Sequence, residues 1–129
     1  MLTNAGFYRA FAARDLDAMN RLWAEHGPVC CIHPGWNPLV TREEIMSSWH
    51  AILGGAAAPS VRCRAPRVSV YGDAALVVCF EEIDGGFLVA TNGYADIDGR
   101  WKLVHHQAGP AAAAPDAPDD DEPPSPLLN

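Results

Sequence analysis

Amide and imidazole side chains lie within two segments that flank the dipeptide Asp98-Gly99. Asp-Gly between apolar alternating residues predicts a two-residue hairpin turn, because such a turn needs positive φ at both central positions. Counting outward from the turn places Asn92 opposite His105, on the same face as Tyr94. Hydrogen-bonding groups among large apolar ones are typical of the wall of a small-molecule pocket. A satisfied polar pair inside the sheet is the alternative interpretation.

The elements that must position these side chains follow from periodicity and turn signals. Apolar spacing predicts three helices at residues 4–13, 15–25 and 41–53, and alternation predicts strands at 29–33, 61–71, 74–83, 86–97 and 100–109. Helices followed by a meander of four long strands indicate an α+β fold, in which helices cover one face of a bent, mostly antiparallel sheet.

Specific residues mark the ends and irregularities of these elements. Asp15 is a predicted N-cap, and Thr41 with Glu44 forms a predicted capping box in which the Glu44 side chain bonds the Thr41 amide. The apolar parity of the strand at 61–71 changes at Pro66, which indicates a β-bulge. The pair Tyr94 and Leu103 should face each other across the hairpin.

Composition limits the kind of protein. The 129 residues suit one domain, predicted at 1–110, and the proline- and acid-rich residues 111–129 are predicted to be a disordered tail. The formal net charge is −7, but five acidic residues lie in the tail, so the rest has an acidic excess of only two. Without a basic patch, nucleic acid is not an expected partner.

The four cysteines show no metal-binding spacing, and no glycine-rich phosphate loop occurs. We therefore expect no metal and no cofactor. Without a signal peptide or long apolar run, we also expect a cytoplasmic protein that does not bind membranes.

Three segments together resemble one family: ARDLDAMNRLWAEH, TREEIMSSW and GRWKLVHHQ. Over about residues 3–110 the chain resembles the SnoaL-like branch of the nuclear-transport-factor-2-like superfamily. The resemblance implies a cone, in which helices pack on a strongly curved sheet that encloses a pocket, often with a homodimer through the outer sheet face. Members include ketosteroid isomerases, polyketide cyclases and dehydratases, as well as binding or dimerising domains without chemistry.

The resemblance also implies site residues. His33, which precedes Pro34, matches the position of the base in ketosteroid isomerases, and Asn92 matches that of their second acidic group. Phe7 matches the position of their oxyanion tyrosine, with Tyr8 expected to point elsewhere. The implied catalytic residues are His33, Asn92 and His105, and the implied walls of the substrate pocket are Trp36, Trp49, Tyr94, Trp23 and Phe7. Whether Glu81 or Glu82 faces the pocket stays open.

Two functions follow from these observations. The first is cofactor-free proton transfer next to a carbonyl, of the isomerase, cyclase or dehydratase type, with His33 as base. The second is a non-catalytic domain that binds an apolar small molecule or dimerises. For either function we expect a homodimer through the apolar outer face, formed by Phe87, Val89, Thr91, Gly93 and Ala95.

Overall fold

A computed structural model describes residues 1–56 and 60–116. Across these residues the chain forms α1 (Leu2–Ala13), α2 (Leu16–Leu22), β1 (Cys30–Ile32), α3 (Arg42–Gly54), β2 (Val61–Tyr71), β3 (Ala74–Ile83), β4 (Gly86–Ile97) and β5 (Arg100–Pro110). Residues 117–129 of the predicted tail lie outside the described residues.

The five strands form one mixed sheet with the order β1-β5-β4-β3-β2. β1 pairs in parallel with β5, and the other neighbours are antiparallel. The inner face of this sheet and the helices share a buried core that includes Phe7, Trp23, Trp49, Val77 and Leu103. The predicted α+β class and the mostly antiparallel sheet are therefore confirmed.

The caps of the helices follow short-range chemistry, with one difference. Asp15 accepts a hydrogen bond from the Ala18 amide at 3.0 Å, and Thr41 accepts one from the Glu44 amide at 3.1 Å. The Glu44 carboxylate, however, accepts its bond from the Thr41 hydroxyl at 2.8 Å, and not from the Thr41 amide as predicted. One hydroxyl can serve both bonds because it accepts and donates at once.

The second helix ends at Leu22, three residues before its predicted end. The Ala24 amide donates to the Leu103 carbonyl at 3.0 Å, and Trp23 forms an isolated parallel bridge with Leu103. This pairing with β5 pulls the chain into an extended conformation, so a tertiary contact overrides the helical pattern.

The hairpin turn is confirmed, since φ is 53° at Asp98 and 82° at Gly99. Tyr94 pairs with Leu103, also as predicted. Beyond that pair the register shifts: Gly93 pairs with His105 and Asn92 pairs with His106. The predicted pairing of Asn92 with His105 is therefore wrong.

The cause of this shift is a β-bulge in β5, which contains one residue more than β4 between the two pairs. Gly93 permits the bulge, because a Cβ atom at that position would lie only 3.1 Å from Cβ of His105. A second register shift, between Arg64 and Arg67, confirms the bulge predicted at Pro66.

Candidate active site

The bulge in β5 directs His106 into the interior, where a chain of hydrogen bonds begins. His106 Nδ1 lies 2.5 Å from Asn92 Oδ1, and Asn92 Nδ2 donates to the Tyr8 hydroxyl at 3.0 Å. The Tyr8 hydroxyl then donates to Glu81 Oε2 at 2.7 Å. All four side chains are buried. Elements from both ends of the fold, α1, β3, β4 and β5, thus contribute to one polar cluster.

The two hydrogen bonds that Asn92 Nδ2 donates fix the orientation of the Asn92 amide. Its second hydrogen is donated to Asn4 Oδ1 at 3.0 Å, so the atom that faces His106 is the amide oxygen, which can only accept a hydrogen bond. His106 Nδ1 must therefore carry the hydrogen of the neutral ring. As a result, each bond from His106 through Asn92 and Tyr8 points a hydrogen toward Glu81.

Glu81 combines burial with an ionisable carboxyl group. Only 1% of the residue is exposed, and this burial raises the pKa of Glu81 to about 7, although the hydrogen bond from Tyr8 acts in the opposite direction. A carboxyl group with a pKa near neutrality can both take up and release a proton under ordinary conditions.

His106 does not form an ion pair with this carboxyl group. Its Nε2 lies 4.0 Å from Glu81 Oε2, within the usual distance limit for such a pair. Burial, with smaller contributions from His33 and His105, lowers the pKa of His106 to about 3, so the ring is neutral near pH 7. We therefore assign His106 a role in orienting Asn92.

Asn4 is held in a single orientation beside this chain. Its Oδ1 accepts hydrogen bonds from Asn92 and from the Tyr94 hydroxyl, the latter at 2.8 Å. Its Nδ2 makes only a long contact of 3.9 Å to the sulfur of Cys63. The Asn4 amide nitrogen is thus a fixed donor with a weak partner.

A cavity of about 330 Å³ opens beside Asn4 and Tyr8. It lies between α1 and β2, and it is lined by Met1, Asn4, Ala5, Tyr8, Arg9, Arg62, Cys63 and Pro66. This volume is at the small end of the range for ligand sites, about 300–1,000 Å³. Tyr8 therefore joins the cavity to Glu81, which lies behind it.

His33, the base implied by the resemblance, belongs to a neighbouring cluster. It is buried just after β1, and its Nε2 lies 2.9 Å from the Ser48 hydroxyl, which itself donates to the Ile45 carbonyl at 2.6 Å. Nε2 therefore carries the hydrogen, and burial lowers the pKa of His33 to about 4. The centres of the His33 and His106 rings are 6.3 Å apart.

The aromatic residues predicted to line the pocket fall into two groups. Those at most 1% exposed, inside the core, are Phe7, Trp23, Trp49 and Tyr94. Trp36 is 48% exposed and packs edge-on against the His33 ring at 4.8 Å between centroids. Their role in binding a substrate stays a prediction.

Two further expectations about the site are resolved by these contacts. The prediction that Tyr8 points elsewhere is wrong, because its hydroxyl contacts both Asn92 and Glu81. Of the two adjacent glutamates, Glu81 faces inward, whereas Glu82 pairs with Arg64 at 2.7 Å. His105 is only half-buried, opposite Gly93.

Sequence reasoning missed Asn4, Tyr8 and His106. The spacing of Asn4 and Tyr8 was an available signal, since polar residues at i and i+4 lie side by side on one helix face. Gly93 inside a strand was a signal for the bulge that brings in His106.

Within residues 1–56 and 60–116, no group of three or more histidine, cysteine, aspartate or glutamate side chains is placed to hold a metal ion. In the same part of the chain, no helix has the length and apolar character needed to span a membrane.

The fold and this site can now be compared with known proteins. A family model of the SnoaL-like domain matches residues 2–113. The chain belongs to the SnoaL-like family. Its fold is that of the NTF2-like proteins, whose cone-shaped α+β architecture matches the three helices and the open five-stranded sheet.

Two solved structures show how this SnoaL-like domain relates to proteins of different description. A protein of the NTF2-like family from Streptomyces avermitilis, provisionally described as a dehydratase, is 34% identical, with 87% of this chain and 93% of that chain covered and a TM-score of 0.78. A provisionally described calcium/calmodulin-dependent protein kinase type II association domain from Thiobacillus denitrificans is 30% identical, with coverages of 84% and 92% and a TM-score of 0.76.

A curated relative of the SnoaL-like domain is the F-box protein SKIP8 of Arabidopsis thaliana, which is 29% identical over 107 residues. The match covers 81% of this chain and 46% of that protein, so the chain spans less than half of the length of this relative.

Proposed function

We propose that this SnoaL-like protein is an enzyme that transfers a proton next to the carbonyl group of a small molecule. The observation that carries the proposal is the 2.7 Å hydrogen bond from Tyr8, on the cavity wall, to Glu81, whose pKa is about 7. A buried acid–base group that is linked to a cavity by one hydroxyl can exchange protons with a bound molecule.

The geometry favours a relay through Tyr8. The substrate C–H bond breaks as its proton passes to the Tyr8 oxygen, while the hydrogen that Tyr8 donates to Glu81 in the free protein transfers to that carboxylate. The negative charge moves from Glu81 to the enolate oxygen of the substrate. The Asn4 amide nitrogen, held by Asn92 and Tyr94, donates to that oxygen. Reversal of the relay returns the proton, to the same carbon or to a different one.

His33 and Asn92 have defined places in this proposal. Both amide hydrogens of Asn92 are used by Asn4 and Tyr8, so it acts as a positioning residue. His33, as the base implied by the resemblance, remains an alternative, but its lowered pKa of about 4 makes it a weaker base than Glu81. The relay also suits a dehydratase, the provisional description of the Streptomyces avermitilis protein, because loss of water next to a carbonyl begins with the same proton removal.

Hydrogen exchange in heavy water tests the proposal directly. The protein should accelerate deuterium incorporation at the α-carbon of some members of a panel of small enolisable ketones and 2-oxo acids, followed by proton NMR. Tyr8→Phe and Glu81→Gln should each lower the rate about 100-fold or more. Because the relay needs the Glu81 carboxylate, the rate should rise with pH through about 7.

Matched control variants separate a catalytic role of Tyr8 and Glu81 from a nonspecific loss of exchange activity on substitution. Tyr71→Phe changes an exposed tyrosine, and Glu82→Gln changes the outward neighbour of Glu81, so both should keep the exchange rate. Exchange that survives in folded Tyr8→Phe and Glu81→Gln would refute the relay and would favour His33 as the base.

The second candidate is a non-catalytic binding or association domain. It is favoured by the Thiobacillus denitrificans relative, which is described as an association domain at 30% identity. The filled aromatic core, where Phe7, Trp23 and Trp49 are at most 1% exposed, also supports it. Binding of a small molecule, or self-association, without any exchange across the panel would support this candidate over the enzyme.

A further inference from the structure

We propose that Cys63 is a covalent site for α,β-unsaturated carbonyl compounds, whose β-carbon its thiol attacks inside the cavity between α1 and β2. The proposed function places a carbonyl compound in this cavity, and loss of water next to a carbonyl yields a compound of this class. The attack itself needs only Cys63 and Asn4. The proton that completes the adduct comes through Tyr8, and that step alone rests on the proposed function.

Two thiols are in contact beside the cavity, and their burial differs. Cys63, on β2, is half-buried and lines the cavity, whereas Cys79, on β3, is only 1% exposed. A hydrogen bond with Cys63, together with burial, raises the pKa of Cys79, so Cys79 keeps its hydrogen near neutral pH. A thiol needs only a small ionised fraction to react, because sulfur is intrinsically a strong nucleophile. Cys63 is therefore the member of this pair that can attack a ligand in the cavity.

An underused hydrogen-bond donor lies beside the Cys63 sulfur. Asn4 is only 3% exposed and lines the same cavity, and its Nδ2 carries two hydrogens. Among the described residues, these hydrogens have one partner, the Cys63 sulfur at the long distance of 3.9 Å. A buried donor without a good partner is costly, so a ligand oxygen that accepts from it is stabilised there. The Asn4 amide thus indicates that a carbonyl oxygen binds within reach of the Cys63 sulfur.

The addition balances within the groups of this site. The Cys63 S–H bond breaks and its proton leaves to water, while the sulfur forms a bond to the β-carbon of the ligand. The electrons of the carbon–carbon double bond shift toward the carbonyl oxygen, where the Asn4 amide stabilises the enolate. The enolate then takes a proton at its α-carbon from Tyr8, which is resupplied by the protonated Glu81 carboxyl group. Water returns a proton to Glu81, so the sum is the addition of S–H across the double bond.

Cyclohexenone and iodoacetamide test the site on the unmodified protein, so the result does not depend on the folding of a variant. Cys30 is the matched control, because it is also half-buried but lies on β1, away from the cavity. Peptide mapping by mass spectrometry follows the modification of both cysteines with time. Iodoacetamide alkylates a thiol by loss of iodide and forms no enolate, so it reports the accessibility of each thiol. The ratio of the Cys63 rate to the Cys30 rate should be at least about ten-fold higher with cyclohexenone than with iodoacetamide.

Three variants locate the adduct and the source of its last proton. Cys63→Ser should abolish the fast adduct with cyclohexenone, and Cys30→Ser should keep it. Tyr8→Phe should slow accumulation of the adduct several-fold, because the enolate must then take its proton from water.

The outcomes separate this inference from the proposed function. Equal rate ratios for the two reagents, or a fast adduct that survives in Cys63→Ser, would overturn the covalent site. Deuterium exchange without a fast adduct would also overturn it, while the proton transfer would stand. A fast adduct that forms equally well in Tyr8→Phe, in a protein that shows no deuterium exchange, would support the covalent site and count against the proton transfer.

Discussion

At the scale of single residues, the site depends on what burial does to Glu81. Water stabilises an ionised carboxylate, and its removal raises the pKa of Glu81 to about 7. The Tyr8 hydroxyl, donating at 2.7 Å, returns only part of that stabilisation. The same removal of water lowers the pKa of His33 and of His106, so both histidines stay neutral where Glu81 titrates. One acid–base group therefore changes charge near neutral pH inside this cluster.

The raised pKa of Glu81 predicts a pH-dependent stability difference. From pH 4.5 to about 7 the folded state keeps a proton that the unfolded state releases, so Glu81 makes the free energy of unfolding fall as pH rises. Glu81→Gln removes that dependence. Between pH 4.5 and about 7, the free energy of unfolding of the variant should therefore rise relative to that of the wild type by on the order of 3 kcal/mol. Urea unfolding at each pH measures this difference.

The comparison between the two proteins isolates Glu81, because the opposite dependence from His33 and His106 is present in both. Glu82→Gln is the matched control, since Glu82 lies partly exposed beside Arg64. If the free energies of unfolding of the wild type and of Glu81→Gln changed with pH in parallel, the raised pKa of Glu81 would be contradicted.

At the scale of elements, the bulge in β5 decides which of two adjacent histidines enters the core. We expect His106→Ala to cost about 2–4 kcal/mol of unfolding free energy, because it opens a cavity and leaves the buried Asn92 oxygen without its donor. His105→Ala, at a half-buried position opposite Gly93, should cost under about 1 kcal/mol. Thermal or urea unfolding measures both. A larger loss of unfolding free energy in His105→Ala than in His106→Ala would contradict the bulge and would support the regular register, in which Asn92 faces His105.

At the scale of the whole molecule, the outer face of the sheet presents an apolar surface. Leu76, Val78 and Val89 on β3 and β4 are 43%, 41% and 37% exposed. Val89 belongs to the face predicted from sequence, and Leu76 and Val78 extend it onto the neighbouring strand, where Leu76 pairs with Gly93. We propose that a second copy of this chain covers this face by a two-fold contact.

Light scattering at micromolar concentration should give the mass of a dimer for the unmodified protein. Val78→Lys and Val89→Lys should each give the mass of a monomer, because the new lysine would bury a charge in the contact between the two copies. Val40→Lys is the control, since Val40 is an exposed valine outside the strands of this sheet. A monomer mass for the unmodified protein would refute the proposal.

The sequence by itself determined the features that depend on neighbouring residues. Asp98-Gly99 specified a turn because both residues must adopt positive φ, and Asp15 and Thr41 specified helix starts because their side chains bond amides three residues ahead. The bulge at Pro66 was predicted because the alternation of apolar residues within one strand shifts by one position there. Turn geometry, capping and alternation act over a few residues, so no distant contact was needed to predict them.

Only the tertiary structure decided which side chains meet. Tyr8 and Glu81 are 73 residues apart, and their hydrogen bond depends on how α1 lies against the sheet. The choice of His106 over His105 depends on a bulge that Gly93 permits through close approach of two strands. The pKa of Glu81 depends on burial by elements from across the chain. A shift of one residue in register exchanges the two faces of a strand, and local sequence rules do not contain that information.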